Sequence, residues 1–183
     1  MPNALSAARL LAVPVLAVLA ALGRETAFTW VLIPALLSDI ADGLVARMYG
    51  LESRLGAMLD SVADSLLMIV SLYGLWTFYP EVVTGHAWLI GVAVGLWVLE
   101  DVLALARYGR LSSFHTYLSK IVANLLGFFI GWLFLFGFEP WMLYVAMGAS
   151  IVASLEEIAL VAQLPTWRAD VRGLWWVWRE GRV

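Results

Sequence analysis

Residues 39 to 64 read D-I-A-D-G-L-V-A-R-M-Y-G-L-E-S-R-L-G-A-M-L-D-S-V-A-D. Four of them, Asp39, Asp42, Asp60 and Asp64, are aspartates, and the sequence on either side is almost wholly apolar. A carboxylate at bilayer depth costs at least about 2.5–3.5 kcal/mol on insertion scales. Four such groups without a nearby surplus of cations need compensation. A bound doubly positive ion is the simplest source.

The rest of the chain makes a bilayer the natural setting. Of 183 residues, 63% are hydrophobic and 14% charged, with a mean hydropathy of +0.89. Globular domains run near 45–50% apolar and about 25% charged, so a soluble domain is excluded. A net charge of −3 offers no basic face for nucleic acid. The chain has no cysteine, which excludes disulfides and thiolate metal sites. The first apolar segment lacks a basic leader and a small-x-small cleavage site, so it reads as a retained span and not a signal peptide.

Runs able to cross about 30 Å of hydrocarbon fall at residues 4–22, 27–46, 56–79, 86–107, 117–138 and 141–163. The expected fold is therefore all-α and polytopic, one domain over residues 1–183 with six transmembrane helices. Ten of the eleven Lys and Arg residues, all but Arg24, fall on one side of that topology. The positive-inside rule makes this side, with both termini and the aspartates, cytoplasmic. Residues 165–183 carry four tryptophans, Trp167, Trp175, Trp176 and Trp178, among Arg168, Arg172, Arg179 and Arg182. They read as an interfacial amphipathic segment in the headgroup layer.

Residues three and four apart share a helix face, so Asp39, Asp42, Gly43, Ala46 and Arg47 form one stripe, and Gly56, Asp60 and Asp64 another. If the two helices pack antiparallel, the stripes can face each other, with Gly43, Ala46 and Gly56 allowing close approach or room for a flat ligand. Pro34 is expected to bend the second helix. Carboxylate oxygens without His or Cys suit Mg²⁺, Mn²⁺ or Ca²⁺, and four could hold two ions for phosphoryl transfer. Arg47 would meet a phosphate oxygen, and Asp64 is the natural general base. Two other readings stay open on these grounds: a cation-coupled transporter, or acids that pair with Arg47, Arg54 and Lys120 to stitch helices together.

The same stretch resembles the signature of the CDP-alcohol phosphotransferase (CDP-alcohol phosphatidyltransferase) family, D-x2-D-G-x2-A-R-x8-G-x3-D-x3-D. All eight specified positions are met, by Asp39, Asp42, Gly43, Ala46, Arg47, Gly56, Asp60 and Asp64. The resemblance implies a membrane enzyme that moves the phosphatidyl group of CDP-diacylglycerol to a small polar alcohol and releases CMP. It further implies two divalent cations, Mg²⁺ or Mn²⁺, on the four aspartates, with Asp64 as the base. Asp39, Asp42, Gly43, Ala46, Arg47, Gly56 and Asp60 match donor-binding positions. A homodimer in the bacterial inner membrane, with its active site cytoplasmic, is the expected setting.

The acceptor is less sharply written. P-N-A-L-S-A-A-R-L, Pro2 to Leu10, resembles the opening of phosphatidylglycerophosphate synthases and related cardiolipin synthases, which gives Asn3 and Arg9 roles beside the site. The plain alternative is an N-cap followed by a snorkelling arginine. Arg107, Arg110, His115 and Lys120 gather around the fourth interhelical connection and could bind the phosphate of glycerol 3-phosphate, the favoured acceptor. Positive-inside topology alone also predicts basic residues there. Two departures count against that acceptor: D-S-V-A-D-S stands where those synthases show D-P-x-A-D-K, and S-K-I-V-A keeps Lys120 but loses a second lysine. Ser61 is closer to members that use serine or inositol, so serine, inositol and inositol phosphate stay open. Glu100, Asp101, Glu156 and Glu157 could orient acceptor hydroxyls or pair with Arg107 and Lys120.

Overall fold

The computed structural model describes residues 2–49, 54–110, 112, 114, 116–168 and 171–179; side chains are described over 7–38, 62–110, 112, 114, 116–168 and 171–179. Among these residues the structure is helical and carries no strand. The elements are α1 (Pro2–Ala21), α2 (Glu25–Tyr49), α3 (Arg54–Phe78), α4 (Pro80–Gly85), α5 (Ala87–Tyr108), α6 (Tyr117–Phe136), α7 (Pro140–Gln163) and α8 (Leu174–Arg179).

The six expected runs coincide with α1, α2, α3, α5, α6 and α7. Among the described residues, α5, α6 and α7 are long and apolar enough to cross a membrane by length and composition. The others supply shorter apolar stretches within the described residues: Ala7–Ala21, Glu25–Ser38 and Val62–Phe78. Such a content of apolar helix is that of a membrane protein. Large apolar side chains on outward faces agree with this, among them Leu11, Trp30, Trp76, Trp88, Ile121 and Phe128.

Local chemistry explains the ends. Gly23, at φ +65°, closes α1 with Arg24 N–H donating to Leu19 O at 2.9 Å and Gly23 N–H to Ala20 O at 3.0 Å, a left-handed cap that a Cβ would strain. Gly109, at φ +68°, ends α5 in the same left-handed conformation. Pro34 sits inside α2, which continues through it despite the lost ladder bond. The sequence reads Pro80-Glu81 as a break, whereas the structure starts the six-residue α4 there. Proline suits the first helical position, where its missing N–H has no partner to lose.

The chain forms two compact units, Met1–Gly85 with Ile130–Gly137, and His86–Phe129 with Phe138–Val183. In the first, α1 packs along both α2 and α3, while α2 and α3 touch each other only briefly among the described residues. The stripes expected to face each other lie, Asp64 apart, outside the described side chains. Leu16, Phe28, Leu32, Ala63 and Leu67 fill this core. Phe28 also meets Phe78 and Phe134 at centroid distances of 5.3 and 5.1 Å. Gly74 is obligatory there, since a Cβ on it would lie 2.4 Å from Phe28 Cζ.

In the second unit α5 packs on α7. Ala104, Phe114, Leu160, Val161, Leu164 and Val177 form one buried cluster. Its last member adds to the expectation for the tail: α8, six residues long, docks through Val177. Trp175 and Trp178 stay 55% and 56% exposed.

Candidate active site

The motif is carried by two helix segments: Asp39, Asp42, Gly43, Ala46 and Arg47 by the second half of α2, and Gly56, Asp60 and Asp64 by the first part of α3. The side chains of Asp39, Asp42, Gly43, Ala46, Arg47, Gly56 and Asp60 lie outside the described residues, as does that of Asn3. Asp64 is the member whose side chain is described. It is 44% exposed, and its Oδ1 accepts from Nη1 of Arg9 in an ion pair.

Arg9 explains much about this end of the unit. Its side chain is 0% exposed, so it does not snorkel to the headgroups. A buried guanidinium is tolerated only when a carboxylate or comparable acceptor meets it. The pair spans 55 residues of sequence and fixes α1 against α3 at the level of the motif. The sequence left Arg9 balanced between two roles, and the packing of α1 puts it beside the aspartate expected to act as base. Asp64 therefore already faces a cation from one side and the surface from the other. An oxygen-only donor set with one half-exposed member fits a hard divalent ion. Among the described residues no three acidic or imidazole side chains converge as a metal site.

The acceptor candidates lie in the second unit, around the turn from α5 to α6. Arg107 is exposed, with its guanidinium 5.8 Å from the Tyr108 ring centroid. Arg110 lies 5.3 Å from that of Trp167 and is also exposed. Lys120 is exposed in the first turn of α6, where its N–H donates to Thr116 O at 3.1 Å. His115 lies outside the described residues.

The four acids of α5 and α7 have partners that the sequence did not single out. Ser112 N–H donates to Asp101 Oδ1 at 3.1 Å, and Ser112 Oγ donates to Glu157 Oε2 at 2.6 Å. Leu174 N–H donates to Glu156 Oε1 at 3.0 Å. Glu100 is buried, against Ser154 and Glu157. A serine in a polar loop carries no signal that two acids from different helices will close on it.

The groove lined by Gly23, Arg24, Glu25 and Trp30, about 510 Å³ in volume, is remote from this chemistry. It sits at the start of α2, roughly 20 Å of helix rise from Asp39 and Asp42.

The described residues define a helical membrane protein in which Asp64 of the motif is paired with a buried Arg9. A model of the CDP-alcohol phosphatidyltransferase family matches residues 1–152. The chain belongs to that family, and with it to the transferases of phospholipid biosynthesis. It is 31% identical to a protein of Mycobacterium tuberculosis named "Putative cardiolipin synthase", over 90% of this chain and 85% of that one. It is 34% identical to the CDP-diacylglycerol–glycerol-3-phosphate 3-phosphatidyltransferase of Cereibacter sphaeroides, over 49% of this chain and 40% of that one. To the protein of the same name in Escherichia coli strain K12 it is 23% identical, over 75% and 76%. Family membership decides against the transporter reading.

Proposed function

We propose that this chain transfers the phosphatidyl group of CDP-diacylglycerol to glycerol 3-phosphate and releases CMP. The observation that carries the reading is the complete eight-position motif on α2 and α3, with Asp64 half-exposed and held by Arg9. Asp64 takes the proton from the acceptor hydroxyl. The freed oxygen attacks the phosphorus that bears diacylglycerol, and the bond from that phosphorus to the bridging oxygen of CMP breaks. CMP departs with the electron pair. Asp39, Asp42, Asp60 and Asp64 would hold two divalent cations, Mg²⁺ or Mn²⁺, which when bound offset charge on the pyrophosphate. Arg47 steadies a phosphate oxygen, while Gly43, Ala46 and Gly56 leave room for the cytidine diphosphate. Arg110 and Lys120, with Arg107 and His115, bind the acceptor phosphate.

The setting that goes with this chemistry is one membrane domain of six spans, dimeric, in a bacterial inner membrane, with both termini and the site cytoplasmic. One substrate then arrives from the lipid and the other from water. The tail's exposed Trp175 and Trp178 suit the headgroup layer beside it.

A second reading has a specific support, the 31% identity to the mycobacterial protein over most of both chains. Cardiolipin made by the same transfer would need the free hydroxyl of phosphatidylglycerol as acceptor. The test for both is CMP release from labelled CDP-diacylglycerol by the purified protein with Mg²⁺ or Mn²⁺. The acceptor panel is glycerol 3-phosphate, phosphatidylglycerol, serine, inositol, inositol phosphate and choline. Turnover with glycerol 3-phosphate well above the others is expected. Turnover only with phosphatidylglycerol would replace the first reading by the second, and none with any acceptor would sink both.

A further inference from the structure

Between α5 and α6 the chain makes a short turn that is held far more firmly than a connecting loop requires. Ser112 is gripped from two helices, its N–H by Asp101 of α5 and its hydroxyl by Glu157 of α7. Phe114 is fully buried in the core cluster, and its carbonyl accepts from Val171 N–H at 2.8 Å. Thr116, also 0% exposed, caps α6: its Oγ1 accepts from Ser119 N–H at 3.1 Å, the usual device for the orphan donors of a first turn. Tyr117 N–H then donates to Arg172 O at 3.3 Å.

The two exposed cations bracket these fixings. Arg110 stands two residues before Ser112, and Lys120 four residues after Thr116. Apolar side chains would join α5 to α7 with less desolvation than Asp101 and Glu157 incur. What carboxylates add is direction, since charge-assisted bonds fix both the distance and the angle of their donors.

We propose that Asp101 and Glu157 are positioning residues for acceptor binding: by closing on Ser112 they fix the α5–α6 turn and set Arg110 and Lys120 for an anionic alcohol, a phosphomonoester. This inference rests on the reading above that Arg110 and Lys120 bind the acceptor phosphate. Neither acid touches a reacting atom in this role.

The test compares S112A and E157Q with R110A and K120A in lipid nanodiscs, using CDP-diacylglycerol and the phosphorylated acceptor. Loss of one hydrogen bond to a charged group corresponds to roughly tenfold, so S112A and E157Q should raise the acceptor KM by about that factor. The donor KM and kcat should change little, E157D should recover part of the loss, and amide exchange over residues 110–120 should quicken. S112A removes a single oxygen and carries the test even if E157Q fails to fold. A rise in acceptor KM for R110A and K120A but not for S112A would overturn the positioning role and leave the acceptor reading standing. Equal rises in both KM values for S112A would overturn it as well. If R110A and K120A leave acceptor KM unchanged while D64N abolishes CMP release, the acceptor reading fails and this inference falls with it.

Discussion

The carboxylates of the two units are deployed in opposite ways. In the first unit Asp64 is half-exposed and its partner Arg9 is buried. In the second, Glu157 is buried, and its partner is the neutral hydroxyl of Ser112. A half-exposed carboxylate against a buried cation is still reached from the surface, so it can exchange partners and meet ions or protons. A buried carboxylate with its donors already in place has little capacity left for a ligand, and its contribution is geometric. The same residue class thus stands half-exposed at an ion pair in one unit and buried against a hydroxyl donor in the other, and burial is what separates the two.

Breaking the first arrangement should have the largest effect. Asp64→Asn and Asp60→Asn should each lower CMP release by at least about 10²–10⁴-fold, the scale of a lost general base; full activity in either would remove the aspartates from the reaction. The Arg9–Asp64 pair should also be lopsided in stability. Asp64→Ala withdraws a carboxylate from a fully buried guanidinium, a loss of roughly 3 kcal/mol for such a charge. Arg9→Met leaves only a half-exposed carboxylate, so after discounting for solvent about 1 kcal/mol is expected. Thermal unfolding in one detergent, with the double variant, checks this, and equal losses would contradict the burial difference.

Packing predictions follow at smaller size. Gly74→Ala drives a methyl into the Phe28 ring and should destabilise by about 1–3 kcal/mol, with partial recovery on adding Phe28→Leu. In the second unit Tyr108 Oη is placed to donate to Leu164 O at 2.7 Å or Val161 O at 3.0 Å. Tyr108→Phe should cost about 1 kcal/mol with no change in donor KM. A loss of CMP release in that variant would mean that the architectural unit also bears on the chemistry.

The sequence reached the helices because hydropathy is read by the solvent one residue at a time. The ends of α5, α6 and α7 fall within two residues of the expected runs. It missed α4, where Pro80 opens a helix and does not stop one. It placed an amphipathic helix in the tail but not the docking of Val177 among Phe114, Leu160 and Leu164, since the face a short helix buries depends on what lies beneath it. The candidate donor site was legible in full as eight spaced residues, and Asp64 alone among them has a described side chain that adds a partner. Ser112, Asp101 and Glu157 were not legible as a group, because their meeting needs α5, α7 and the turn brought together.

What the sequence by itself determined is the helical membrane class, the family and the eight spaced positions of its motif, all of them properties of composition and of spacing along one chain. What only the tertiary structure decided is which polar group meets which: Arg9 on Asp64 across 55 residues, and Asp101 and Glu157 on one serine. Those pairings depend on helix crossings, and a charge buried at a crossing is stabilised or penalised by whatever the other helix brings.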